Sequence, residues 1–98
     1  MIKHIVMWKL KDDLTNKDKI SLEIRKQIEE LKYKIDGIID IEIGINFESS
    51  EQAYDIVLYS KFNSRESLDF YQNHEDHIKV AKFIKSVVKS RVVADYEI

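Results

Sequence analysis

The stretch Ile38-Ile39-Asp40-Ile41-Glu42-Ile43-Gly44-Ile45-Asn46-Phe47 sets Ile39, Ile41, Ile43, Ile45 and Phe47 on one side and Asp40, Glu42, Gly44 and Asn46 on the other. A period of two marks a β-strand, because successive side chains leave a pleated backbone on opposite faces. Just upstream, Gly37, one of only two glycines, stands where a left-handed residue ends a helix. The predicted helix starts from an N-cap at Thr15 or Asn16 and carries the stripe Ile20, Ile24, Ile28, Leu31 and Ile35. Its charged residues, Glu23, Lys26, Glu29, Glu30 and Lys34, fall mostly outside that stripe, so the helix lies on something flat and apolar. Further upstream, Ile2 to Leu10 alternates Ile2, His4, Val6, Trp8 and Leu10 with Lys3, Ile5, Met7 and Lys9, a strand with apolar residues on both faces.

Downstream, Glu48-Ser49-Ser50-Glu51-Gln52 is a hairpin-type connection, and Asp55 to Phe62 is again apolar on both sides, with Ile56, Leu58 and Phe62 against Val57 and Tyr59. Ser64 is placed to cap a second helix bearing Leu68 and Tyr71, and a further helical stripe runs through His77, Val80, Ala81, Ile84 and Val88. A break near Asn73-His74 separates the two pieces. Arg91 to Ile98 alternates once more and closes the chain as a strand. The order β-α-β-β-α-β over residues 1–98 reads as one α+β domain of ferredoxin-like type: a four-stranded antiparallel sheet with helices on one face.

Such a sheet leaves its second face bare, yet Ile5, Met7, Val57 and Tyr59 lie on that face. Leaving them wet forfeits about 1.5–3 kcal/mol each, a large loss for a small domain of marginal stability. Homodimerisation through the open sheet face is the economical expectation.

Composition narrows the function classes. Sixteen Lys and Arg against eighteen Asp and Glu give a formal charge of −2, without the basic excess that nucleic-acid binding draws on. The absence of cysteine excludes disulfides, thiolate metal sites and a cysteine nucleophile. No apolar run reaches the length of a signal peptide or membrane span, so a cytoplasmic location and no membrane partner are expected.

Several segments, taken in order, resemble one known family. They are Ile2-Lys3-His4-Ile5-Val6-Met7-Trp8-Lys9-Leu10-Lys11, Gly37-Ile38 leading into Ile41-Glu42-Ile43-Gly44-Ile45-Asn46, Tyr54-Asp55-Ile56-Val57-Leu58-Tyr59-Ser60, and Tyr71-Gln72-Asn73-His74-Glu75-Asp76-His77 closing on Val93-Ala94-Asp95-Tyr96. The chain is similar over nearly its whole length to the stress-responsive A/B barrel domain. That resemblance implies a dimeric α+β barrel in which two sheets pack face to face, and it names no substrate. One branch, a plant polyketide cyclase, uses a histidine base and a tyrosine in a pocket between sheet and helices. Tyr71 and His77 stand at the matching positions. The sequence departs from the family at Glu75, where many relatives carry proline, a change that bears on the helix break aiming His77.

On an unbroken helix Tyr71 and His77 would point roughly 120° apart, so their convergence needs a bend. A neutral His77 with a free ring nitrogen can take a proton alpha to a carbonyl while the Tyr71 hydroxyl polarises the carbonyl oxygen. This chemistry needs no cofactor, and the chain carries no phosphate loop or nucleotide fingerprint. The expected ligand pocket also takes in His4, Trp8 and His74, with Trp8 read first as core. In the alternative, His77, Tyr71 and His4 are part-buried residues whose polar ends are satisfied by backbone carbonyls or neighbours. A metal site from His74, His77 and His4, with Glu75 or Asp76, is chemically possible, but the three-residue spacing of His74 and His77 is common on its own, and no metal is expected. The first reading is therefore a homodimer binding a small apolar or aromatic molecule. A cofactor-independent cyclase, lyase or isomerase comes second. A small monooxygenase or haem-degrading protein of the wider dimeric α+β superfamily comes third.

Overall fold

A computed structural model describes residues 1–98. Strand β1 spans Ile2–Leu10, helix α1 Lys17–Glu30, β2 Ile38–Ile45, β3 Ile56–Phe62, α2 Arg65–Asn73, α3 Glu75–Val87 and β4 Val88–Glu97. The four strands form one antiparallel sheet in the order β2-β3-β1-β4, the ferredoxin-like arrangement. No helix is long and apolar enough to cross a membrane.

Antiparallel partners share a face, so the register sorts the sheet. Ile2, His4, Val6, Trp8 and Leu10 of β1 are all buried, as are Ile56, Leu58, Ser60 and Phe62 of β3 and Ile41 and Ile43 of β2. Against this face α1 packs Ile24 and Ile28, α2 packs Leu68 and Tyr71, and α3 packs Val80 and Ile84. The opposite face carries Ile5, Met7, Val57, Tyr59, Val92, Ala94 and Tyr96, rimmed by Lys3, Lys9, Lys61, Asp40 and Glu42. Of these, Met7, Val92 and Tyr96 are 39%, 45% and 45% exposed, so this chain alone leaves the second face open.

Several boundaries differ from the sequence expectation. Helix α1 ends at Glu30 and tightens into a 3-10 turn at Leu31–Tyr33, because the stripe must roll over to bury both Leu31 and Ile35 before Gly37 turns the chain at φ +95. Asn16 holds the N-cap position without a side-chain bond, and only its backbone carbonyl accepts, from Ile20. Strand β2 stops at Ile45. Its register slips between Ile38 and Asp40, which takes Ile39 out of the core alternation, and Phe47 lies beyond the strand, fully exposed. Strand β4 begins at Val88 rather than Arg91, and α3 enters it without a loop, anchored by the Lys11 amide donating to the Val87 carbonyl at 2.9 Å.

In β4, Ser90 pairs with Lys9 and Val88 with Leu10, leaving Lys89 as an extra, unpaired residue in a β-bulge. Edge strand β2 is covered in part by the Glu29 carboxylate of α1, which accepts from the Ile43 amide at 3.1 Å. Asp55, just before β3, closes the other end of β1 by accepting from the Leu10 amide at 2.7 Å.

Candidate functional site

The break between α2 and α3 is built by two serial caps. Ser64 accepts from the Ser67 amide to start α2, and His74, with an extended backbone (φ −68, ψ 138), ends α2 and starts α3. The His74 Nδ1 accepts the Asp76 amide at 3.1 Å, and Glu75 and Asp76 place two carboxylates against the positive end of α3. The bend therefore survives glutamate at position 75. Its effect is to bring Tyr71 and His77 together, with ring centroids 4.4 Å apart.

His77 donates from Nδ1 to the Gln72 carbonyl at 3.1 Å. A carbonyl only accepts, so in the neutral ring Nδ1 holds the proton and Nε2 the lone pair. Burial lowers the His77 pKa from its ordinary value; the Gln72 bond works against this, and the neighbouring His4 and Arg91 add to it. His77 is thus a neutral imidazole at pH 7 with one committed nitrogen.

Tyr71 is fully buried between Phe62 (5.0 Å between centroids) and His77, and its hydroxyl has no hydrogen-bond partner. Desolvation raises the pKa of that hydroxyl far above the ordinary phenol range, so it stays protonated and acts as a donor. His4, on β1, is buried and pairs through Nδ1 with the Asp95 carboxylate, which faces it across the β1–β4 register. The carboxylate fixes the imidazole tautomer and orientation. The His4 carbonyl accepts from the fully buried Ser60 hydroxyl at 2.8 Å.

A cavity of about 450 Å³ opens between the sheet and α3. His4, Val6, Trp8 and Leu58 form its floor, Ile28 one side, His77, Ala81, Ile84 and Lys85 the α3 side, and Val88 to Arg91 the β4 side. Trp8 is both core and cavity wall, since it is 5% exposed and lines the space. Tyr71 lies behind His77, outside the wall. His74 does not join the group: it borders a separate surface groove with Arg65, Glu66, Asp69, Phe70 and Asn73, and its ring meets Phe70 edge-on. No three His, Asp or Glu side chains converge on a point where a metal ion would sit.

Sequence reasoning missed the Asp95–His4 pair, the Ser60 bond and the cations at the cavity mouth. The first was readable once β4 was aligned antiparallel to β1, because Asp95 shares the alternation of Arg91 and Val93. The bulge at Lys89 had no sequence signal.

The family model of the Stress responsive A/B Barrel Domain matches residues 2–98. A stress-response A/B barrel domain-containing protein of Arabidopsis thaliana, DABB1, is 30% identical over 101 residues, covering 98% of this chain and 46% of that protein. The chain spans less than half the length of the curated relatives it matches. Among solved structures, a dimeric protein of unknown function with a ferredoxin-like fold from Bacteroides fragilis superposes with a TM-score of 0.87 at 34% identity, covering 99% of this chain and 95% of that one. The hydroxynitrile lyase from Passiflora edulis shares the fold, with a TM-score of 0.83, at 18% identity, covering 99% of this chain and 92% of that one.

Proposed function

The chain belongs to the stress-responsive A/B barrel domain family, and we propose that it acts as a homodimer, joined through the open sheet face, that binds a small apolar or aromatic molecule between sheet and helices. The observation that carries this reading is the cavity of about 450 Å³: an apolar space of ligand size with two imidazoles in its wall. The dimer is supported by the apolar second face and by the dimeric relative from Bacteroides fragilis.

Trp8 is the sole tryptophan and lines the cavity, so it reports occupancy directly. Titration with a neutral aryl ketone such as butyrophenone is expected to change Trp8 fluorescence saturably, one ligand per chain. Ala81→Phe, which fills the space from α3, is expected to abolish the response. An equal response in both proteins would count against the cavity.

A second reading is favoured by the chemistry of His77. Its Nε2 lone pair can accept the proton alpha to a ligand carbonyl, leaving an enolate whose oxygen needs a donor; the Tyr71 ring packs against that imidazole with an unpartnered hydroxyl, and this reading requires the ligand to reach past the cavity wall to it. Return of a proton from the imidazolium regenerates the ketone, so a solvent deuteron enters at the alpha carbon. Alpha-proton exchange of the ketone in D₂O, followed by NMR, tests this: His77→Ala is expected to lose it while the dimer stays folded, and exchange at the wild-type rate would remove His77 from the chemistry.

A further inference from the structure

Four consecutive residues, Val88, Lys89, Ser90 and Arg91, line the β4 side of the cavity. A regular strand would put Val88 and Arg91 on opposite faces; the extra residue of the bulge sets both on the helix face, where they pair with Leu10 and Trp8. Two of the four are cations, and Lys85 from α3 adds a third, whereas no carboxylate is among the residues lining the cavity. This local excess stands in a chain whose formal charge is −2. Of the three, Lys89 is engaged with Asp12 at 2.7 Å, while Lys85 and Arg91 make no ion pair. Lys85 has a structural duty as well, since it lies in the last turn of α3, where a cation offsets the negative helix end. Arg91 has none. It sits opposite Trp8 in the β1–β4 register, on the helix face, and near enough to His77 to depress that imidazole's proton affinity.

We propose that the cavity takes an amphiphilic organic acid, with a carboxylate held at the mouth by Arg91 and Lys85 and an apolar body lying along Trp8, Val6 and Ile84 toward His77. This rests on the cavity being a ligand site, as proposed above. The guanidinium fork matches a planar carboxylate and binds it through paired hydrogen bonds. A dianionic phosphate is the poorer match, because the negative end of α3 borders the same mouth.

The test is calorimetric titration of the full chain with two matched probes, 4-phenylbutyrate and 4-phenylbutanamide, alike in shape and differing in charge. The acid is expected to bind about tenfold more tightly than the amide at low salt. That advantage should shrink as ionic strength rises, and Arg91→Gln with Lys85→Gln should bring the acid's affinity down to the amide's. Equal affinity of acid and amide for the wild-type chain would overturn the carboxylate assignment while leaving the cavity as a ligand site. An acid preference that persists in the double variant would also overturn it, as would displacement of the acid by inorganic phosphate at equal concentration. If neither probe binds, the cavity reading falls and this inference falls with it.

Discussion

Tyr71 bears a cost in the free protein. Its hydroxyl is buried without a partner, and an unsatisfied buried polar group costs about 1–3 kcal/mol. Tyr71→Phe is therefore expected to raise stability, by on the order of 1 kcal/mol in urea unfolding, while lowering ligand-dependent activity. A fall in the urea midpoint would mean that the hydroxyl has a partner in solution. His77 yields a pH prediction. Its folded-state pKa lies below the ordinary 6.5 mainly through burial, so the unfolded chain binds the proton first as pH falls. Wild-type stability should decline relative to His77→Gln from about pH 6.5 down through the lower folded-state value, and the gap should be constant above pH 7. Parallel thermal melts of the two proteins between pH 5 and 8 check the sign. The same depression leaves Nε2 unprotonated, and available as a base, at pH values where a free imidazole is already half protonated.

At the scale of elements, the α2–α3 break decides whether Tyr71 and His77 form a pair at all. His74 makes that break by capping α3 through Nδ1, and it adds an edge contact to Phe70. His74→Ala is expected to cost about 1 kcal/mol and to weaken the Trp8 fluorescence response, whereas His74→Asp, a strong N-cap, should restore most of both. Equal loss in the two variants would assign His74 a role other than capping. The break was legible in the sequence because the helical stripe changes phase at Asn73-His74, but the role of His74 was not. A histidine two residues before an amide looks the same whether it caps a helix or faces a ligand, and only the backbone angle separates the two. The strands were legible from alternation. Their ends were not, since Ile39 and Phe47 keep the apolar rhythm of β2 while a register slip and the strand terminus remove them from the core. The upstream start of β4 was hidden because Val88 satisfies both the helical stripe of α3 and the first pair of the strand.

For the whole molecule, the two-faced character of β1 and β3 is the property that the sequence declared most openly, and it separates folding from assembly. Met7 sits on the second face between Val57 and Val92 and is 39% exposed in the single chain, so the helix-side core does not depend on it. Met7→Glu is expected to leave the fold intact and halve the mass measured by sedimentation, because a carboxylate would be desolvated at a sheet-to-sheet contact. A dimer of undiminished stability would place the interface elsewhere. The cations at the cavity mouth were invisible to sequence reading because charged residues on a closing strand look like a solvated edge until the bulge is known. That bulge makes Lys89 surplus to the ladder: with it removed, Val88 would still meet Leu10 and Ser90 would still meet Lys9, and the pairing of His4 with Asp95 would keep its register. Loss or gain of a single codon can therefore rewrite the charge at the cavity entrance while the strand pairing on either side is kept.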